Sequence, residues 1–239
     1  MDVHKPKPWH GLREFLKEYV IIVVGVLTAL GAEQAVQTLH ENRIADEARE
    51  SIRAEVRENL FWLERRANHQ PCVRQQFTEI GQVLDRARHG QPYPTPRQLD
   101  RVFHAKLTSV RWEANSQAGR ASLFSPVEQR NLGNMYYTTE QYARAQDIEE
   151  DVWSKLDAIE GLDHLTPQEI DAFAMLLAEA RYQNVAVNLN LMRARQWATV
   201  LRLKPENPTV TAVPTGAIAP VACASISAAP DPAADDGFH

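Results

Sequence analysis

The strongest pattern along this chain is one apolar run near the N-terminus, which reads EYVIIVVGVLTALGAEQ over residues 18–34. Residues 19–32 carry no charge, but as a helix they extend only about 21 Å. Flanking apolar residues lengthen the helix to residues 15–36, about 33 Å, which matches a hydrocarbon layer of roughly 30 Å. The pattern predicts a transmembrane helix over residues 15–36 and the lipid bilayer as a partner.

Two alternatives exist for this run, a cleaved signal sequence and a buried core helix. Residues 29–31 have the small side chains that a signal peptidase recognises, with cleavage before Ala32. Residues 32–56 continue without Pro or Gly, which favours an uncleaved helix. A core helix of this strength would need an equally apolar partner, and the rest of the sequence has none. We therefore predict a retained anchor.

The charges beside the anchor indicate its orientation. Lys5, Lys7 and Arg13 precede it and Lys17 lies in its first turn, and such residues favour the cytoplasmic side. We expect a short cytoplasmic N-terminus at residues 1–14, an anchor in the bacterial inner membrane and a periplasmic main domain.

Small residues within the anchor raise the question of a helix partner. The spacing of Gly25 and Ala29, with Ala32 on the same face, allows two helix backbones to approach closely. Glu33 would mark a partner or an ion path if it lay deep in lipid. Lipid contact for the small residues and a headgroup position for Glu33 are the simpler interpretations. The candidate anchor-helix interface is Gly25, Ala29, Ala32 and Glu33.

Residues 37–203 show helical periodicity throughout, which predicts an all-α fold in which the anchor continues into an antiparallel bundle. Apolar residues from Ile44 onwards recur every three or four positions, and the first helix should end near Asn68, before Pro71. A second helix should end at residues 89–90, where glycine can adopt the left-handed conformation. Three segments of the form Ser/Thr-Pro-x-Gln/Glu predict helix starts at Thr95, Ser125 and Thr166.

The last predicted helix carries a heptad seam of alternating three- and four-residue spacing. Its members are Ile170, Phe173, Leu177, Ala180, Asn184, Val187, Leu191, Ala194, Ala198 and Leu201. A seam of this kind requires a helical partner. The partner can be residues 40–68 of the same chain, which we favour, or the same seam in a homodimer.

Composition narrows the remaining possibilities. The net charge of -5, with basic and acidic residues interspersed, argues against binding to nucleic acid. The two cysteines, Cys72 and Cys223, allow one disulfide in an oxidising compartment, with free or intermolecular thiols as the alternatives. Residues 204–239 are rich in Pro and Ala, and we expect a disordered tail there.

Candidate chemistry is sparse. The sequence has no GxSxG, HExxH or Gly-rich phosphate loop, so we expect no catalytic residues, cofactor or metal. We interpret His69 and Cys72 as a surface helix end, and Glu149–Asp151, an acidic run, as a solvated helix face. One set combines aromatic faces with polar ends and forms a candidate ligand pocket if the bundle brings it together. It comprises Trp112, Glu113, Arg120, Tyr136, Tyr137, Arg181 and Asn184.

Residues 110–156 read VRWEANSQAGRASLFSPVEQRNLGNMYYTTEQYARAQDIEEDVWSKL. Together with residues 9–34, this segment resembles uncharacterised, N-terminally anchored helical envelope proteins of Gram-negative bacteria. The resemblance covers most of residues 9–203. It implies membrane attachment and a helical extracytoplasmic domain, and it implies no substrate.

These observations predict a single-pass membrane protein that binds or scaffolds other components of the bacterial envelope and is not an enzyme. The alternatives are a subunit of a larger membrane complex that interacts through its anchor, and an anchored or secreted enzyme whose catalytic groups are dispersed along the sequence.

Overall fold

The computed structural model describes residues 11–100, 102–207 and 223–228, and the regular secondary structure of these residues is entirely helical. The all-α prediction is confirmed. The helices are α1 (Leu12–Asn68), α2 (Gln70–Arg88), α3 (Val110–Gln117), α4 (Pro126–Leu156) and α5 (Pro167–Leu201), with short 3-10 turns at Arg120–Leu123 and Asp157–Ile159. Residues 1–10 and most of the predicted tail lie outside the described residues.

Helix α1 consists of 57 residues and ends at Asn68, as the sequence predicts. Its first part, residues 12–40, is exposed at every position except the half-buried Val23, with Ile22 and Leu27 more than 60% accessible. It contains a segment that is apolar and long enough to cross a membrane. The second part lies in the core, where Ile52 and Val56 are fully buried. One helix therefore joins an exposed apolar segment to a packed domain.

The core of that domain contains two groups of buried side chains. The first joins the second part of α1 to α4 and to the C-terminal half of α5. The second joins α2 to the end of α4 and to the N-terminal half of α5. Helix α5 contributes to both groups, so it connects the two parts of the domain.

All ten members of the predicted α5 seam are buried within the chain. The prediction that residues 40–68 are the main partner of this seam was wrong. Helix α4 covers most of the seam, and residues 40–68 contribute less. The reason is that α1 presents only the stretch after Ala45 to the core, whereas α4 runs beside α5 over most of its length.

Polar contacts show how α5 lies beside α1 and α2. From the C-terminal end of α5 to its N-terminal end, the contacts are Leu201 with Arg53, Arg195 with Glu64, Asn184 with Gln70, Arg181 with Phe77, and Asp171 with Arg88. The end of α5 thus lies beside the beginning of the packed part of α1, and its start lies near the end of α2.

Two of the three predicted helix starts are confirmed. The Ser125 hydroxyl accepts a hydrogen bond from the Glu128 amide, and Thr166 forms a reciprocal capping box with Glu169. The start at Thr95 was wrong, because residues 91–100 and 102–109 are not helical. The amides of Arg97 and Gln98 instead donate to the Ile226 carbonyl.

The segment at residues 223–228 departs from the predicted disordered tail. Cys223 forms a disulfide with Cys72 of α2, which is the intramolecular alternative for the two thiols. Three residues further on, Ile226 is only 2% exposed and belongs to the second core group. The composition of residues 204–239 suggested too little apolar surface for packing. Ile226 nevertheless packs between α2 and the loop around Arg97, where the nearby disulfide holds it.

Candidate functional site

The predicted ligand pocket does not form. Of its seven residues, Trp112 and Tyr136 meet, with their rings stacked at 5.2 Å between centroids. Tyr137 is 62% exposed, because consecutive residues of a helix point about 100° apart.

The other members of that set lie apart from this ring pair. Glu113 and Arg120 are exposed on α3 and on the following 3-10 turn. Arg181 donates to the Phe77 carbonyl at 2.9 Å. Asn184 is buried in a different polar cluster, described below. The seven residues therefore lie in separate parts of the domain and do not line one pocket.

The ring pair belongs to a cluster around Glu55, which is 1% exposed. The Glu55 carboxylate accepts hydrogen bonds from the amides of Arg111 and Trp112, at 2.9 and 3.1 Å, and from the Tyr136 hydroxyl at 2.7 Å. A carboxylate at the first amides of a helix satisfies donors that have no partner within the helix. Glu55 of α1 thus fixes the position of α3.

Burial and the Glu55 carboxylate both raise the pKa of the Tyr136 phenol. The hydroxyl consequently stays protonated at neutral pH and acts as a permanent donor to Glu55. The spacing of residues did not reveal this cluster, because Glu55 lies among many other acidic residues of α1 and its partners are 53 to 81 positions away.

A second buried cluster joins four helices around an ion pair. Arg66 of α1 and Glu149 of α4 are 1% and 0% exposed, with Nη2 and Oε2 separated by 2.9 Å. Asn184 of α5 donates to Glu149 Oε1 at 2.7 Å, and Arg66 donates to Gln70 of α2 at 3.1 Å. The interpretation of Glu149 as part of a solvated face was wrong. Its neighbours Glu150 and Asp151 are exposed, so only one member of the acidic run faces the core.

The ion-pair cluster is incompletely satisfied. Arg66 Nε and the Tyr142 hydroxyl are buried without a hydrogen-bond partner among the described residues. Burial raises the pKa of the Tyr142 phenol, so this group also stays neutral. A carboxylate neutralised by a guanidinium and closed off from solvent is suited to fixing helix register and has no path to a substrate.

A shallow depression lies between α2 and the 223–228 segment. Its volume is about 170 Å³, and its lining includes Glu79, Arg86 and Ile226. Ligand sites for small molecules are commonly 300–1,000 Å³. The depression is therefore a by-product of the docked segment, whose Ser225 hydroxyl and Ile226 amide both donate to Glu79.

The described residues contain no group of three or more His, Cys, Asp or Glu side chains that could hold a metal ion. The ring of His69 stacks on Phe103 at 5.1 Å, and Cys72 is bonded to Cys223. This pair thus has roles in packing and in the disulfide.

The candidate anchor-helix interface, Gly25, Ala29, Ala32 and Glu33, is exposed on α1. No described atom lies within 4 Å of the position that a Gly25 side chain would occupy, apart from the helix itself. The role of this face in binding another helix stays a prediction.

Comparison with protein-family models, curated proteins and solved structures found no match to this chain. The resemblance to anchored helical envelope proteins therefore stays a prediction.

Proposed function

We propose that this chain is a single-pass inner-membrane protein whose periplasmic helical domain binds or scaffolds other envelope components without catalysis. The observation that carries the proposal is the construction of α1. Its exposed apolar part and its buried part form one uninterrupted helix. Water does not solvate a long exposed apolar stripe well, whereas lipid does.

The same helix would hold the domain at a defined distance from the bilayer. From Leu39, the last large apolar residue of the exposed part, to Ala45, the first buried residue, the helix extends about 9 Å. Such a short, helical connection restricts the tilt of the domain relative to the anchor. This arrangement suits a scaffold that presents one surface at a fixed height.

The packing of the domain supports a binding role. The order of contacts along α5 favours an antiparallel arrangement against α1 and α2. Two buried carboxylates of the described residues, Glu55 and Glu149, are engaged in hydrogen bonds that hold helices together. Both are closed off from solvent between the helices that they join, which supports a structural role for them.

A periplasmic location agrees with the Cys72–Cys223 disulfide, since such bonds persist in oxidising compartments. The basic residues before the anchor favour the same orientation.

The proposal is tested by a reporter that is active only in the periplasm, fused to the C-terminus of the full chain. We expect activity in the membrane fraction and an intact mass that includes residues 1–31. The matched control places the same reporter at Met1, where it should be inactive. Activity together with a mass that begins at Ala32 would identify a released domain, and activity only in the control would place the domain in the cytoplasm.

A second candidate function is that of a subunit in a larger membrane complex. It is favoured by the unoccupied small-residue face at Gly25, where another helix could approach. The Gly25→Leu substitution should then prevent close approach of the partner helix, and the partner should be lost in a mild-detergent pulldown. The matched Leu27→Val variant should retain the partner, and equal recovery from both variants would contradict this role.

A further inference from the structure

Helix α5 carries a second apolar stripe that no described residue covers. Its large members are Met175, Tyr182, Val185, Leu189 and Met192, with exposed fractions of 40–75%. Ala178, also exposed, completes the alternation of three- and four-residue spacings. The stripe extends over about 27 Å of helix.

This stripe lies on the face opposite the buried seam. Tyr182 follows the seam residue Ala180 by two positions, and Leu189 follows Val187 in the same way. Two positions correspond to about 200° around a helix. A helix that is apolar on two opposite faces is typically packed between neighbours on both. Among the described residues, α5 is covered on the seam face and exposed on the other.

We infer that this stripe binds the same stripe of a second copy of the chain, forming a parallel pair of α5 helices. In heptad terms, Met175, Tyr182 and Leu189 occupy the a positions, and Ala178, Val185 and Met192 occupy the d positions. Apolar a and d positions pack against the equivalent positions of a second helix. The opposite face of each α5 is already packed in its own domain, so the geometry admits one partner helix.

Lipid is too distant to cover the stripe. The ion pair between Arg195 and Glu64 places the C-terminal end of the stripe beside Glu64. Glu64 lies 25 residues beyond Leu39, which corresponds to about 38 Å along α1. The partner must therefore be a protein surface that stands equally far from the membrane.

A second copy satisfies that condition by construction. Two chains anchored in one membrane have the same orientation, so a two-fold axis along the membrane normal brings their stripes together at the same height. This step of the inference rests on the proposed function.

The charges that flank the stripe permit this pairing. In a parallel coiled coil, the g position, which precedes an a position, faces the e position of the partner, which follows the next d position. Arg181 then faces Ala186 of the second copy and Asn188 faces Arg193. Further along, Ala174 faces Glu179, and Arg195 faces Val200. The register therefore brings no like charges together.

The test is cysteine crosslinking of the full chain in its native membrane. Both native cysteines are joined to each other, so an introduced cysteine is the only free thiol. Val185→Cys places it at a d position in the middle of the stripe. Ser154→Cys is the matched control, at an exposed position of α4.

After mild oxidation, we expect most Val185→Cys protein at twice the 27.0 kDa mass of one chain on a non-reducing gel. The Ser154→Cys protein should stay monomeric. Equal crosslinking of both variants, or a Val185→Cys adduct of different mass, would overturn the inference.

A second variant tests whether the crosslink depends on packing of the two stripes or on random collisions between chains in the membrane. Leu189→Glu, added to Val185→Cys, should lower the crosslinked fraction at least tenfold while the helical circular dichroism stays unchanged, because Leu189 is exposed. An undiminished crosslink would overturn the inference. Fractionating the same samples tests the anchor separately: crosslinked protein in the soluble fraction would refute membrane attachment and leave the dimer supported.

Discussion

Residues 19–32 and residues 45–66 belong to the same helix, but the uncharged part is exposed, whereas the charged part packs one of its faces into the core. Ile22 is 64% accessible in the first part, whereas Glu55 and Arg66 are each 1% accessible in the second. Hydrophobicity alone therefore does not decide which residues of this chain are buried. The second part has partners from all four other helices, and the first has none outside its own helix among the described residues.

The largest expected effect comes from breaking the ion pair in the buried part. Glu149→Ala leaves the Arg66 charge buried without a counter-ion, and we expect the free energy of unfolding to fall by about 4 kcal/mol. Urea unfolding of the detergent-solubilised chain, followed by circular dichroism, measures this. The adjacent Glu150→Ala removes an exposed contact to His104 and should lower it by less than about 1 kcal/mol. Similar losses in both variants would show that Glu149 is accessible to solvent.

A matched pair of isoleucines compares the two parts of α1 directly. Ile52 is fully buried, so Ile52→Ala should lower the free energy of unfolding by about 3.5 kcal/mol through lost burial and a residual cavity. Ile22→Ala should change it by less than about 0.5 kcal/mol, because Ile22 has no packing partner in the domain. The same urea titration measures both. A large loss for Ile22→Ala would mean that the exposed part packs against protein.

Membrane association should depend on the exposed part of α1, in contrast to the stability of the folded domain. Leu27→Lys places a charge near the middle of the predicted span and should weaken insertion by about 3 kcal/mol. Leu39→Lys lies outside the span and should be tolerated. The measurement is the fraction of protein recovered with membranes after expression. Full retention of the Leu27→Lys variant would argue against a membrane-spanning role for this segment.

The smallest expected effect is the pH dependence of stability that comes from His69, just after the end of α1. Burial, followed by the charges of Arg66 and Arg65, lowers the pKa of His69 below its usual 6.5. Below that pH the unfolded chain binds more protons than the folded one, so stability should fall as the pH drops from 7 towards 5. His69→Gln should make the unfolding midpoint less sensitive over this range. An unchanged pH dependence would assign the effect to other groups.

Helix boundaries were predictable where their signals are local. The end of α1 at Asn68 and the start of α5 at Thr166 follow from a nearby proline and a capping box. The same type of signal at Thr95 was misleading. The amides of Arg97 and Gln98, which the Thr95 side chain would have capped, donate instead to the Ile226 carbonyl, more than 120 positions later. A local motif permits a helix start, and contacts with distant residues decide whether the helix forms.

The candidate site was predictable only in fragments. Stacking of Trp112 on Tyr136 is real, but its organising residue, Glu55, was not singled out. Asn184 was recognised as a polar member of an apolar seam, and the structure supplies Glu149 as its partner. In both cases a buried carboxylate in a charge-rich helix looks like any solvated glutamate until the helices that cover it are in place.

The sequence by itself determined the helical class, the exposed apolar segment and most helix ends, because periodicity, proline and capping act within a few residues. Only the tertiary structure decided which carboxylates are buried, which helix covers the α5 seam and which face of α5 is left open. These features depend on pairs such as Arg66 and Glu149, 83 positions apart. Burial is a property of what surrounds a residue, and a helical pattern specifies which face is apolar without naming the surface that covers it.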